Sequence, residues 1–166
     1  MGLKECLIKS HQLLDENQVA HALIGGMALS AFGVFRATED IDYLVDGEKW
    51  ALVREIFLGE SLRLCFSSSE VLQFEGSYKV DFLFANRPLS KEMLANSQLG
   101  PLGIKYVGAE ELIGLKIQAF SNQPHRKLKD LADIQALLDK NPNLDWKKIK
   151  NYADLFDQWR ELEKLK

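Results

Sequence analysis

The spacing of hydrophobic and polar residues predicts alternating helix and strand at the start of the chain. Apolar positions recur at helical spacing over residues 3–17, and a short apolar run over 19–24 favours a strand. Gly25 and Gly26 end this run, and helix-forming residues follow them. Over residues 38–45 the period changes to two, which indicates another strand. We therefore expect helix, strand, glycine turn, helix and strand in this order.

Further along, the pattern predicts a stretch rich in strands and then a stretch of helices. One helix and three strands are expected at 49–59, 62–66, 71–74 and 78–84. The helices expected after them lie at 88–97, 109–121, 127–140 and 152–164. Strands that precede helices in this way are typical of the α+β class. We expect a single domain over 1–166, with a sheet core over about 18–86 and a helical C-terminal part over about 109–166.

Composition and charge restrict the setting of this domain. The chain has 166 residues, 46% of them hydrophobic, which is enough to bury a core of its own. Charged residues make up 27% and the formal net charge is −3, so no overall basic field favours nucleic acid or an anionic membrane as a partner. Cys6 and Cys65 lack the spacing of a zinc site or a disulfide framework, so we expect a reducing, cytoplasmic location. Because no cleavage-site pattern and no apolar window of roughly 18 residues occurs, we expect neither export nor a membrane span.

Two carboxylates interrupt the strand predicted over residues 38–45. Side chains of a strand alternate between faces, so Asp40 and Asp42 share a face with their Cα atoms about 6–7 Å apart. A third acid, Asp81, stands alone in the apolar segment YKVDFLF. Like charges this close repel each other, so a cation is expected among them. Oxygen ligands without a neighbouring His or Cys favour Mg²⁺ or Mn²⁺ over zinc. The alternative is that the acids are solvated on an exposed sheet face.

The order of these features is more informative than any one of them. A strand, a Gly-Gly turn and a helix are followed by R-x-T-x-D-x-D on the next strand and then by a hydrophobic-Asp-hydrophobic strand. Through LIGGMAL, FRATEDIDYLV and YKVDFLF, with weaker similarity in ELIGLKIQAF and HRKLKDLADI, the sequence resembles the nucleotidyltransferase superfamily. This superfamily includes DNA polymerase beta, the CCA-adding enzymes and the antibiotic nucleotidyltransferases. The sequence is most similar to its AbiEii-like, toxin-type branch, over most of residues 20–138.

The resemblance implies a short mixed β-sheet with flanking helices and a C-terminal helical cap. It also implies transfer of a nucleoside monophosphate from an NTP with release of pyrophosphate. In this interpretation Asp40 and Asp42 bind two Mg²⁺ or Mn²⁺ ions, and Asp81 completes the metal site that activates the attacking hydroxyl. Two ions held by carboxylates on a stiff sheet suit an in-line displacement of pyrophosphate. All three acids are therefore expected to be catalytic.

The glycine turn and the arginine that follows it are expected to contact the nucleotide. Gly25 and Gly26, at the start of a helix, allow backbone N–H groups to approach phosphate oxygens. Many members of the superfamily have Gly-Ser at this place, so Gly26 lacks the hydroxyl and leaves backbone donors or Ser30 as substitutes. Arg36 either contacts a phosphate or pairs with a neighbouring acid such as Asp40.

Three further residues belong to the predicted nucleotide site through the resemblance. Lys116 lies among apolar residues of a predicted helix, where it either snorkels to solvent or reaches the triphosphate. Asp130 matches an acid of the toxin-type branch, and Arg126 belongs to a small basic rim for nucleotide or RNA phosphates. The alternative for Asp130 is a solvated helix face, on which Lys129 and Asp133 are i,i+4 neighbours.

These observations predict a Mg²⁺-dependent nucleotidyltransferase with NTP as its substrate. The acceptor hydroxyl belongs to RNA such as a tRNA end, to a protein side chain or to a small molecule. Toxin–antitoxin or phage-defence systems, with a partner protein, are the setting that the toxin-type branch implies. The rival interpretation is a binding or antitoxin-like module with the nucleotidyltransferase fold and no turnover. The presence of all three acids favours the enzyme.

Overall fold

The computed structural model describes residues 2–166, which form two compact units. Residues 2–28 and 36–107 make up the first unit, and residues 29–35 and 108–166 make up the second. All strands of the described chain lie in the first unit, and the second unit is helical. The predicted α+β class with a mixed sheet is confirmed, and the single-domain interpretation stays a prediction.

The first unit is built on a mixed β-sheet. In the part of the chain that the structure describes, its seven strands are β1 (His21–Ile24), β2 (Asp40–Asp46), β3 (Arg63–Ser67), β4 (Val71–Glu75), β5 (Lys79–Ala85), β6 (Gln98–Leu99) and β7 (Lys105–Tyr106). They are ordered β3-β4-β5-β2-β1-β7-β6. β2 is parallel to β5 and β1 to β7, and the other neighbouring pairs are antiparallel. The helices of this part of the chain are α1 (Leu3–Glu16), α2 (Gly25–Leu29), α3 (Trp50–Gly59) and α4 (Pro88–Ala95).

One face of the central strands packs into an aromatic core. Tyr43 of β2 and Phe82 of β5 are fully buried and stand in register, with ring centroids 5.9 Å apart. Phe57 of α3 packs against Phe82 at a centroid distance of 4.6 Å. Because side chains alternate along a strand, the residues just before these two anchors point to the other face of the sheet. That other face carries Asp42 and Asp81.

The second unit is stabilised by apolar side chains at helical spacing. Its helices are α5 (Ala109–Asn122), α6 (Lys127–Lys140), α7 (Trp146–Leu155) and α8 (Trp159–Glu163). Their buried residues include Leu112, Ile113, Ile117, Phe120, Ile134, Leu137 and Ile149. The rings of Trp146 and Trp159 meet edge to face with centroids 6.4 Å apart. Within residues 2–166 no helix has both the length and the apolar character needed to cross a membrane.

Two regions differ from the elements that the sequence pattern predicts. The prediction of a single helix over 152–164 is wrong. Helix α7 ends at Leu155, and the chain turns through Asp157, at φ 55°, before α8 begins at Trp159. Tyr152 and Leu162 are both buried, so apolar residues keep their spacing on both sides of the break. The spacing therefore does not reveal the break, which is a change in backbone conformation. An Asp tolerates this left-handed conformation better than most residues do. The strands β6 and β7 were not predicted because two residues are too few to display a period of two.

A pair of histidines joins α1 to the start of β1. His11 Nδ1 lies 2.8 Å from His21 Nε2, and His21 Nδ1 lies 2.7 Å from the carbonyl oxygen of Val19. Because a carbonyl only accepts, His21 carries its proton on Nδ1, and its Nε2 accepts the hydrogen bond that His11 donates. Burial has the largest effect on the pKa of His21, and it lowers that pKa below the ordinary value for histidine. The spacing of the two histidines along the sequence gives no indication of this pair.

We expect the free energy of unfolding to decrease as the pH falls from about 7.5 to about 5. Near pH 6.5, roughly the ordinary pKa of histidine, the unfolded chain takes up a proton at His21. The folded chain resists protonation because its His21 pKa is lowered, so this contribution is fully present above that pH and is lost below it. Urea unfolding at a series of pH values measures the slope.

The matched variants are His21→Gln and His125→Gln. The first variant should weaken the dependence of the free energy of unfolding on pH, because it removes the group whose pKa differs between the folded and the unfolded chain. The second changes an exposed histidine and should leave the dependence as it is. Equal slopes for the wild type and both variants would contradict the prediction.

Candidate active site

A row of polar side chains crosses the sheet face opposite the aromatic core. Asp42 of β2 stands in register with Asp81 of β5, and Asp81 stands in register with Gln73 of β4. Side chains in register on neighbouring strands share a face, about 5 Å apart. On the other side of Asp42, the residue in register is Ile24, the last residue of β1. We call Gln73, Asp81 and Asp42 the polar row, and it lies within the first unit.

Asp40 lies on the same face as the polar row but outside it. It is the first residue of β2, two positions before Asp42, and its register partner on β5 is Lys79. Within residues 2–166, no group of three His, Cys, Asp or Glu side chains is arranged to hold a metal ion. The structure therefore brings Asp42 and Asp81 together as a pair and places Asp40 opposite a lysine.

The paired carboxylates suit an oxygen-seeking divalent cation. Mg²⁺ is usually bound through one or two protein carboxylates, with water and substrate phosphates supplying the remaining oxygens. Asp42 and Asp81 are adjacent and partly exposed, as this mode of binding requires. The residues present therefore fit the ion expected from the sequence, without a three-acid cage. The metal-binding roles of Asp40, Asp42 and Asp81 stay predictions, and so does the second ion.

Gly25 is the residue that lets β1 pass directly beside Asp42. Its φ is +63°, in the left-handed region that favours glycine. A Cβ atom at this position would lie 2.6 Å from Cγ of Asp42 and nearer still to its Oδ2 atom. The backbone at the end of β1 therefore approaches this carboxylate more closely than any other residue type would allow.

Gly26 approaches the segment before β2 in a similar way. A Cβ atom there would lie 2.9 Å from Oγ1 of Thr38 and 3.4 Å from a guanidinium nitrogen of Arg36. The Thr38 hydroxyl also donates to the backbone carbonyl of Asp40 at 3.3 Å. Arg36 thus lies beside the glycine turn. The helix that follows, α2, has only five residues, so its dipole contributes little to anion binding.

Gln73 was not among the residues predicted for the site. Its Nε2 atom donates a 2.6 Å, partly buried hydrogen bond to Oδ2 of Asp81. The sequence does contain a signal, because Gln73 is a lone polar residue between Leu72 and Phe74, as Asp81 is in its own strand. Only the register between β4 and β5 shows that these two polar residues lie side by side.

In the second unit, Lys116, Arg126 and Asp130 form a charge cluster with Asp133. Lys116 Nζ donates to Oδ2 of Asp133 at 2.6 Å and to Oδ1 of Asp130 at 3.5 Å. Arg126 Nε donates to Oδ2 of Asp130 at 3.2 Å. Lys116, Asp130 and Asp133 are all buried. The snorkelling alternative for Lys116 and the solvated-face alternative for Asp130 are therefore wrong, because these charges neutralise each other inside the unit.

The nucleotide-binding roles of Lys116, Arg126 and Asp130 stay predictions, and so does that of Ser30. Ser30 begins the short 3₁₀ turn Ser30–Phe32 of the second unit and is exposed. The pairing of Lys129 with Asp133 that the sequence suggested is replaced by the pairing of Lys116 with Asp133.

A cavity of about 420 Å³ opens in the first unit, where β1 begins and β2 and β5 end. Its polar lining residues include His11, His21, Asp46, Lys91 and Lys105. Among the described residues that line this cavity, none belongs to the polar row. The cavity and the polar row lie at different positions along β2, because Asp46 is four residues beyond Asp42, a distance of about 13 Å along the strand.

No protein-family model matches the sequence, and no curated protein matches it. Solved structures do match. The antibiotic-resistance factor ANT(2'')-Ia in solution has a TM-score of 0.69 at 18% identity, over 98% of this chain and 97% of that chain. ANT(2'')-Ia in complex with adenylyl-2''-tobramycin has a TM-score of 0.67 at 18% identity, over 94% and 97%. The lincosamide antibiotic adenylyltransferase LnuA, lincomycin-bound, has a TM-score of 0.56 at 16% identity, over 82% and 96%. The chain therefore has the fold of the nucleotidyltransferases.

Gly25→Ala should destabilise the first unit more than Gly103→Ala does. Both glycines have positive φ, so each alanine costs about 1–2 kcal/mol for the left-handed backbone. A Cβ atom at Gly25 also overlaps Asp42, which adds about 1–3 kcal/mol for overpacking, whereas nothing lies within 4 Å of a Cβ atom at Gly103. Urea unfolding of both variants measures the difference. Equal losses would show that Gly25 does not approach Asp42 as described.

Lys116→Met should lower the free energy of unfolding by about 3–5 kcal/mol, because it leaves Asp130 and Asp133 buried with less positive charge. Lys129→Met is the matched control at an exposed position of α6, where the change should stay within about 0.5 kcal/mol. Denaturant unfolding of both variants measures the two losses in the free energy of unfolding. A larger loss for the Lys129 variant would assign the partner of Asp133 to Lys129 instead.

Proposed function

We propose that the protein is a Mg²⁺-dependent nucleotidyltransferase that transfers a nucleoside monophosphate from an NTP to a hydroxyl group. The observation that carries the proposal is the pair of carboxylates in register, Asp42 and Asp81, next to the Gly25 turn. Two acids that face the same way beside a close backbone approach suit a bound cation and a phosphate chain. The nucleotidyltransferase fold of the chain supports the same chemistry.

The proposed reaction is an in-line displacement at the α-phosphorus of the NTP. A bond forms between the acceptor oxygen and this phosphorus, the bond to the bridging oxygen of pyrophosphate breaks, and the hydroxyl proton passes to water or to a carboxylate. When bound, Mg²⁺ supplies positive charge that offsets the phosphates and lowers the pKa of the acceptor hydroxyl. Asp42 and Asp81 hold the ion in this proposal, and Asp40 is the third acid.

The glycine turn and Arg36 orient the nucleotide in this proposal. Because Gly25 and Gly26 have no Cβ, their backbone lies directly against the side chains of Asp42 and Thr38, so phosphates held by backbone N–H groups of this turn would lie next to the proposed cation site. Arg36 lies beside Gly26 and adds a planar positive group that suits phosphate oxygens. This arrangement replaces the Ser hydroxyl that many nucleotidyltransferases have after the first glycine.

We favour the hydroxyl group of a small molecule as the acceptor. The ANT(2'')-Ia structure is a complex with adenylyl-2''-tobramycin, and the LnuA structure is lincomycin-bound. The structural match covers 97% of the ANT(2'')-Ia chain, so this chain contains the counterpart of nearly all of it. RNA or a protein side chain as the acceptor, a partner protein and the setting of the toxin-type branch are the alternatives that the acceptor assay distinguishes.

A non-catalytic binding module is the second candidate, and one observation favours it. Within residues 2–166, three acids do not form a complete metal cluster. Such a module would bind an NTP together with Mg²⁺ and release it unchanged. The two candidates therefore differ in the transfer of label, while they agree in the binding of the nucleotide.

Asp42→Asn should reduce transfer on the order of 100-fold, because it removes one of the two paired charges and keeps the shape of the side chain. The measurement uses labelled NTPs, Mg²⁺ and three sets of acceptors: hydroxyl-bearing small molecules, total RNA and lysate protein. Asp46→Asn is the matched control, since Asp46 lies at the far end of the same strand and asparagine caps the following turn equally well. It should transfer label at the wild-type rate.

Binding is measured separately by thermal unfolding. Mg²⁺ and NTP at about 100 times their dissociation constant should stabilise the wild type by about 2.7 kcal/mol. Stabilisation without label on any acceptor would favour the binding module. If neither stabilisation nor transfer occurs, the proposed site is wrong.

A further inference from the structure

We propose that Gln73 is a positioning residue of the active site, whose side-chain amide holds the carboxylate of Asp81 in one orientation. The 2.6 Å hydrogen bond from Gln73 Nε2 to Oδ2 of Asp81 carries this inference. It rests on the proposed function, because the orientation of Asp81 matters when that carboxylate binds a cation beside the nucleotide. Gln73 acts through Asp81 and does not itself touch the reacting atoms.

Asp81 needs such a partner because of its neighbour on the other side. The terminal torsion of an Asp side chain is broad and roughly two-fold, so packing of the strand alone does not set the plane of the carboxylate. Asp42 stands in register one strand away, and the repulsion between the two carboxylates favours rotation of their oxygens away from each other. Gln73 stands in register on the opposite side of Asp81. Its amide therefore anchors one oxygen of Asp81 on the β4 side.

A glutamine suits this position better than a charged residue does. A Lys or Arg in register with Asp81 would form an ion pair and weaken the attraction of Asp81 for a divalent cation. A second acid would add repulsion to a face that already carries Asp42. An amide N–H group donates a hydrogen bond without changing the net charge of the site. Carboxylates that ligate metals are commonly hydrogen-bonded in this way by neighbouring groups.

The backbone that carries Gln73 is held firmly in register. Leu72 and Phe74 flank it along β4 and are buried on the opposite face, so a shift by one residue would expose both of them. On its outer side, the pairing of β3 with β4 shifts between Leu64 and Phe66, and Phe66 is the residue in register with Gln73. Irregularities of this kind increase the local twist and frequently re-aim side chains near active sites.

Gln73→Met tests the inference, because methionine keeps a similar length and removes the donor. We expect kcat to fall about 10- to 100-fold, as when hydrogen-bonding partners of metal ligands are removed. At saturating Mg²⁺, the KM for the NTP should change by less than about threefold, because the glycine turn and Arg36 are unaltered. Gln73→Val, with a side chain that suits a strand, is the second variant if the methionine variant unfolds.

Gln135→Met is the matched control. Gln135 Nε2 donates a 2.8 Å hydrogen bond to Oδ1 of Asp139 on α6, so this variant loses the same kind of bond in the second unit. Its kcat should equal that of the wild type. Urea unfolding of both variants verifies that each protein is folded under the assay conditions.

A second readout does not depend on turnover. The dissociation constant for Mn²⁺, measured by electron paramagnetic resonance of the free ion without nucleotide, should rise about 10-fold in Gln73→Met. In Gln135→Met it should remain unchanged. A purely structural role of Gln73 would lower the free energy of unfolding without this change in Mn²⁺ affinity.

The outcomes separate this inference from the function on which it rests. If the wild type transfers label and Gln73→Met has the same kcat and Mn²⁺ affinity, the inference is wrong and the proposed function stands. If both glutamine variants lose activity equally, the effect is not specific to Asp81 and the inference is also wrong. If the wild type neither transfers label nor binds Mn²⁺, the inference and the proposed function are overturned together.

Discussion

The register between β2 and β5 is the constraint on which the candidate site depends. Tyr43 and Phe82 stack in register inside the core, and Asp42 and Asp81 stand in register one residue earlier, on the other face. A slip of either strand by one residue would bring a carboxylate into the aromatic core and a large ring out of it. Burying an unpaired charge is costly, so this register is strongly specified. The packing that stabilises the sheet thereby also keeps the two acids together.

The two units differ in how their charged side chains are arranged. In the second unit, Lys116 and Asp133 are buried together, and their opposite charges offset the cost of removing each from water. In the first unit, Asp42 and Asp81 are like charges on a partly exposed face, with a neutral amide next to one of them. A site built in this manner retains negative charge for a cation, whereas the buried cluster uses its charges to stabilise the fold.

The fold and the site support the functional proposal to different degrees. At 18% identity, the likeness to ANT(2'')-Ia establishes the arrangement of strands and helices, and one arrangement can host unrelated activities. The specific support comes from particular atoms, namely the glycine backbone beside Asp42 and the carboxylate pair across β2 and β5.

By itself, the sequence determined the elements with strong local periodicity. The helix predicted over 127–140 is α6, and the alternation around Asp42 is β2, because both patterns repeat within a few residues and reflect burial on one face. The glycine turn and the isolated Asp81 were visible because the first ends an apolar run and the second interrupts one. Only the tertiary structure decided which polar groups meet: Gln73 with Asp81, Lys116 with Asp133, His11 with His21. Such partners come from different strands or helices, and the register or packing that joins them is set by buried side chains elsewhere in the chain, which no local pattern reports.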